Sequence, residues 1–261
     1  MPVFNNIYAT QIYLSLFLSI VFLVSAEEAA GNAKKPILND YQRTIVLDPG
    51  HGGRNSGSKG PSGTYEKTVT LTLARMIASE LGDKYKVVLT RTDDYGMDIS
   101  SRTSTANHLQ ADIFISIHAG GSFLHTASGL SIFYYQRISE SALMIKPKTI
   151  KSLGSRNLKA FWDDIQNQYI EKSRDLARLI QKSIQDQRKY LKCETQGVPL
   201  LVLAGANMPA ILIEIGYLTN PAEEKALRDL DFLSDLAKGI TNGIVVFFQK
   251  HSTESVMDLR K

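Results

Sequence analysis

The sequence predicts one α/β domain with a mostly parallel or mixed central sheet of about six strands, flanked by helices on both faces. Short apolar runs alternate along the chain with amphipathic stretches of helical period, the pattern of strands and helices taking turns in a layered sheet. Several of the short runs are apolar at nearly every position, as strands are when helices cover both their faces. Length agrees: if the first 26 of the 261 residues are a leader, the remaining 235 are enough for one domain with a substantial core.

The leader is a separate object. Met1 to Ala26 contains no Asp, Glu, Lys or Arg, and Ile12 to Val24 is almost wholly apolar. Val24-Ser25-Ala26 supplies the small residues that a signal peptidase accepts. The apolar run falls short of the ~20 residues that span a bilayer. Cleavage after Ala26 is therefore expected, with export to the periplasm or cell envelope and no stable membrane span afterwards. An uncleaved anchor is the alternative, and the lack of Lys or Arg ahead of the apolar run speaks for it. A polar linker covers residues 27–42.

Within the domain, residues 43–250, the expected strands are Thr44 to Asp48, Lys86 to Arg91, Ile113 to His118, Leu130 to Tyr135, Leu200 to Leu203 and Ala210 to Gly216. Helices are expected over Glu66 to Leu81, Ile99 to Leu109, Glu171 to Arg188, Pro221 to Arg228 and Asp231 to Gln249. The first of these places Val69, Leu73, Met76, Ile77 and Leu81 on one face. Residues 137–168 break the rhythm and read as an insertion, either a solvated loop or a lid or partner-binding element. From Lys146 to Lys159 it has five basic residues and no acidic one, and the only tryptophan follows. Residues 251–261 form a tail.

One cysteine, Cys193, excludes an intramolecular disulfide and a Cys-based zinc cage, so any metal must use histidine and carboxylates. A net charge of +4 suits an anionic polymer or surface without identifying one. It does not by itself exclude nucleic acid, which is nevertheless not an expected partner.

Four residues could carry chemistry. His51 lies in DPGHGG directly after the first strand, where glycines let the backbone turn and display an imidazole; a simple flexible turn is the plainer explanation. Glu66 opens a helix, where the dipole would stabilise a carboxylate whatever its role. His118 ends the strand IFISIH. Glu214 sits inside the otherwise apolar AILIEIG, where an unpaired carboxylate costs several kcal/mol or becomes protonated, so it needs a cation or an acid-base task. His51, His118 and Glu214 all lie near carboxyl ends of expected strands, which share one edge in a parallel sheet. Two imidazoles and a carboxylate make a catalytic zinc set, whereas magnesium or calcium would want more oxygens. The remaining histidines singled out, His108, His125 and His251, are not expected as ligands.

These positions fall in ordered blocks: IVLDPGHGG from Ile45, GPSGTYEK from Gly60, LTRTDD from Leu89 with SSRTSTAN from Ser100, ADIFISIHA from Ala111 and MPAILIEIGYLTNPAEE from Met208. The chain resembles, over roughly residues 43–248, the zinc-dependent N-acetylmuramoyl-L-alanine amidases of the Amidase_3 type, which cut bacterial peptidoglycan. The resemblance implies Zn2+ as cofactor, His51, Glu66 and His118 as metal ligands, Glu214 as the catalytic glutamate, and peptidoglycan as substrate. It also implies hydrolysis of the amide between the lactyl group of N-acetylmuramic acid and L-alanine. The sequence departs from the family in having Gly120 where an asparagine is usual. The insertion lies where some cell-division members carry a helix that blocks the metal until a protein activator displaces it; Glu140, Asp163, Asp164 and Glu171 are the carboxylates available there. A zinc peptidase acting on ordinary peptides and a wall-binding protein with a degenerate site are the competing readings, and retention of all four polar positions argues against the second.

Overall fold

The computed structural model describes residues 42–137 and 166–258, with side chains through Ser252. The expected leader, nearly all of the linker and most of the insertion, including Glu140, Asp163 and Asp164, lie outside the described residues, as does the end of the tail.

Among the described residues the chain runs β1 Thr44–Pro49, α1 Glu66–Leu81, β2 Lys86–Leu89, α2 Ile99–His108, β3 Ile113–Gly120, β4 Leu130–Tyr135, α3 Ile170–Gln187, β5 Cys193–Val198, a short 3₁₀ turn Leu201–Leu203, β6 Ala210–Tyr217, α4 Pro221–Leu227 and α5 Leu230–Asp258. The six strands form one mixed sheet in the order β2-β1-β3-β6-β4-β5. β2, β1, β3 and β6 are mutually parallel, β4 runs antiparallel to β6, and β5 is parallel to β4.

Strand alternation sends side chains to two cores. Ile45, Leu47, Ile113, Ile115, Ile117, Ile211 and Ile213 point to one, where they meet Leu73 and Ile77 of α1, Leu176 and Ile180 of α3 and Ile240 and Ile244 of α5. Val46, Phe114, Ala210 and Leu212 point to the other, under Ala106 of α2 and Leu203 of the 3₁₀ turn. Covering both faces is what makes the central strands apolar throughout. α3 and α5 approach closely because α5 carries Gly243, where an added Cβ would stand 2.5 Å from the Ile180 backbone.

The fifth strand is not the expected one. In place of a strand over Leu200 to Leu203, Leu201–Leu203 forms the 3₁₀ turn, with Leu203 filling the second core, and the strand is the more polar CETQGV at the sheet edge. An edge strand has one open flank and a thin cover, so it needs no apolar run. β2 also ends at Leu89, two residues early: Thr90 N still donates to Leu47 O at 2.9 Å, and beyond it the Thr90 hydroxyl and the Arg91 guanidinium engage Asp48 and Pro49. No helix among the described residues is long and apolar enough to cross a membrane.

Candidate active site

The loop after β1 carries His51 in a left-handed backbone conformation, φ 62°, which costs a residue with a Cβ about 1–2 kcal/mol. Two guanidinium groups hold it there. Arg91 Nε and Arg102 Nη1 both donate to the Pro49 carbonyl at 2.9 Å, Arg91 Nη2 donates to Gly50 O at 2.8 Å, and Arg102 Nη2 donates to His51 O at 2.8 Å. Three successive carbonyls are therefore fixed by two buried arginines. Arg102 Nη1 also meets the fully buried Asp48 at 2.7 Å, and Thr90 and Ser116 hydroxyls donate to the same carboxylate at 2.5 and 2.7 Å. Burial, with the Arg102 charge adding to it, pulls Arg91 below its ordinary value.

The His51 ring is oriented by Asn55. Asn55 Oδ1 accepts from Gly57 N at 3.1 Å, which identifies that atom as the oxygen, so His51 Nδ1, 2.9 Å away, must be the donor. In the neutral ring the Nε2 lone pair then faces the Glu66 carboxylate, and a proton on Nε2 turns that contact into a hydrogen bond.

Glu66 begins α1 after a loop whose Ser62 and Thr64 amides donate to the buried Glu224 carboxylate at 2.8 and 3.1 Å. Its Oε2 accepts from Ser58 N at 2.8 Å and its Oε1 from Ala119 N at 3.0 Å. Oε1 also stands 3.0 Å from His51 Nε2 and 2.9 Å from His118 Nδ1. Burial alone would raise this carboxyl, but hydrogen bonds from His118, His51 and Ser58 outweigh it and hold Glu66 far below the carboxylate range. The Glu66 contact likewise raises His51 above its ordinary value. His118 ends its straight run on β3 with its ring against Gly50, where a Cβ would meet ring atoms at 2.4 Å.

One ligand atom each from His51, Glu66 and His118 lies within 4.8 Å of the others, the one such group among the described residues. Fit to a cation can be judged from the atoms themselves. The bare His51 Nε2 faces a carboxylate oxygen, an arrangement of two acceptors that a proton or a cation must occupy. Two ring nitrogens and one carboxylate oxygen match zinc in donor type, and a magnesium or calcium site would need more oxygens.

Glu214 pairs with His118 across the β3–β6 ladder, so the same sheet edge carries both. Its Oε2 is buried and has no hydrogen-bond partner. Desolvation pushes the carboxyl up to about 7, with Glu66 adding to the rise and the two imidazoles opposing it. The glycine at 120 borders this atom: a Cβ there would lie 3.3 Å from Glu214 Oε2 and 3.2 Å from the Tyr217 ring, so glycine leaves the oxygen bare.

The remaining candidates lie elsewhere. His125 Nδ1 is at 3.0 Å from Thr219 O, His251 pairs with Asp175 at 2.9 Å, and His108 ends α2. Glu171 pairs with Arg174 on α3. Cys193 is buried and its thiol is pushed up to about 12, which leaves it unreactive at neutral pH. Sequence reasoning did not single out Asp48, Asn55, Arg91, Arg102 or Glu224. Asp48 and Arg91 left a signal, a charged residue at or just beyond the end of an apolar strand; Asn55 left none.

Residues 45–246 match the Amidase_3 family, described as N-acetylmuramoyl-L-alanine amidase. The chain is 30% identical over 221 residues to N-acetylmuramoyl-L-alanine amidase AmiA of Salmonella typhimurium, covering 79% of this chain and 76% of that protein. It is 30% identical over 232 residues to AmiC of Neisseria meningitidis, covering 84% of this chain and 55% of that protein. Among solved structures, an N-acetylmuramoyl-L-alanine amidase from Clostridium difficile superposes with a TM-score of 0.64 at 28% identity, over 80% of this chain and 97% of that one. AmiC2 of Nostoc punctiforme superposes at 0.62 and 27%, over 79% and 97%.

Proposed function

The chain belongs to the Amidase_3 family of N-acetylmuramoyl-L-alanine amidases, and from that premise we propose that it cuts peptidoglycan with Zn2+ held by His51, Glu66 and His118 and with Glu214 moving the proton. The observation that carries this reading is a single one. Three donor atoms converge within 4.8 Å, and beside them a buried carboxylate oxygen has no partner.

When bound, zinc supplies Lewis acidity toward a carbonyl and toward water at neutral pH. The chain's own residues do the rest. Asn55 fixes the His51 tautomer so that Nε2 presents its lone pair, and the Ser58 and Ala119 amides fix Glu66. Glu214 Oε2 takes a proton from the attacking water and then delivers it to the nitrogen of the departing L-alanine, which is too basic to leave as an anion. The carboxylate form is needed for the first transfer. A cation at the neighbouring ligands would bring Glu214 below the value that burial alone gives it.

The experiment is mass analysis of soluble products from purified sacculi. The expected result is release of stem peptides with a free L-alanine amino terminus, abolished by a chelator and restored by zinc, with plain peptides left intact. Release insensitive to chelation overturns the metal assignment, and cleavage of plain peptides favours a general peptidase.

Export follows from the reading of residues 1–26 as a signal peptide, and the substrate is a wall polymer outside the cytoplasm. Residues 137–168 are proposed to be a regulatory element that answers to a protein activator, on the strength of their position in the chain and their segregated charge. Deleting residues 138–165 keeps Gln166, whose side chain binds Leu203 O and Gly205 N. The deletion is expected to raise basal activity severalfold; a folded variant without that rise overturns the proposal.

A further inference from the structure

Beside the metal ligands lies a cleft of about 530 Å³ lined by Asn55, Met97, Asp98, Ile99, Leu201 and Ala204, with Ser100 at the same helix start. Its volume is that of a ligand cleft, roughly 300–1,000 Å³. It begins at Asn55, one hydrogen bond from His51. Two of its walls are large aliphatic side chains left open to solvent, Ile99 at 49% and Leu201 at 71% exposure. Apolar groups that gather at a cleft next to reactive residues are suited to being covered by a ligand.

Asp98 adds a charge. It stands at the N-cap of α2, where an aspartate ordinarily accepts an amide of the first turn, yet its side chain makes no capping bond. No hydrogen bond or ion pair engages that carboxylate among the described residues. A helix start alone would favour an anion; the full negative charge of Asp98 in front of it reverses the preference.

We propose that this cleft is the subsite for the stem peptide, receiving a side chain with an aliphatic stem that ends in an ammonium group, as in a diamino acid. The stem lies on Met97, Ile99 and Leu201, and the ammonium meets Asp98. The proposal rests on the amidase reading, because it places the peptide half of that substrate on the α2 side of the metal ligands.

The test uses the full chain loaded with zinc and two muropeptides that differ only in whether the side-chain ammonium is free or acetylated. For the wild type, acetylation is expected to raise KM about fivefold with kcat little changed, the size expected for an exposed ion pair. For Asp98→Asn, KM should already be raised for the free amine and should not change on acetylation. Since the carboxylate makes no capping bond and loses only a weak, solvent-screened interaction with the helix dipole, the variant is expected to unfold close to the wild-type temperature. Equal KM ratios in the two proteins overturn the subsite alone. Failure of the wild type to release peptide from either substrate overturns the amidase reading on which it rests.

Discussion

Replacing Glu214 with glutamine is expected to lower turnover by roughly 10²–10⁴-fold, the usual contribution of a positioned proton-transfer group, while leaving bound zinc at the wild-type level. The separation follows from geometry. The converging donor atoms come from His51, Glu66 and His118, and Glu214 is outside that group although it shares the sheet edge with His118. Glutamine has nearly the same shape but cannot accept and return a proton. The exchange is mild for the fold, because Glu214 Oε2 makes no hydrogen bond that would be lost. Peptide release from sacculi and zinc content by atomic absorption measure the two effects separately. Turnover within a few-fold of wild type would remove Glu214 from the reaction, and loss of zinc would make it a ligand.

The largest stability effect is expected at Arg102. Arg102→Ala leaves the fully buried Asp48 without its ion-pair partner, held by the Thr90 and Ser116 hydroxyls with the Arg91 charge nearby, and removing one partner of a buried pair costs about 3–5 kcal/mol. The same change removes the donor to the His51 carbonyl, so a residue already in a strained conformation loses its anchor. Urea denaturation should show the stability loss, and zinc competition with a chelator should show weaker binding. Arg102→Lys separates the two roles. One ammonium can restore the charge opposite Asp48 but cannot reproduce a planar fork that reaches Asp48, Pro49 and His51 together. Stability should therefore return further than metal affinity. A stability loss under about 1 kcal/mol in Arg102→Ala would show that Asp48 does not depend on this pair.

Both effects trace to features of unequal visibility in the sequence. Glu214 stood out because a carboxylate in AILIEIG contradicts its surroundings, and burial of its Oε2 without a partner shows that contradiction in atoms. His51 and His118 stood out by position, each just where a predicted strand gives way to glycines. Arg102 lies within SSRTSTAN without a task that the sequence reveals, since an arginine on a helix with polar neighbours is ordinarily solvated. Its task exists only because α2 packs on the sheet face that carries Asp48. Asn55 was equally silent. The misplaced fifth strand has a similar cause: of LLVL only Leu203 fills a core while Leu201 stands open to solvent, and CETQGV is polar because it lies at an edge.

The sequence alone determined the α/β class, most element positions, the four chemically marked residues and the sheet edge expected for His51, His118 and Glu214, because each depends on periodicity or on a charge out of place within a few neighbouring residues. Only the tertiary structure decided which oxygen of Glu66 faces both imidazoles, which nitrogen of His51 is free, and that two arginines bind the loop carbonyls. Those facts are contacts between segments separated by tens of residues. They follow from helix packing and strand register, which a linear pattern does not encode.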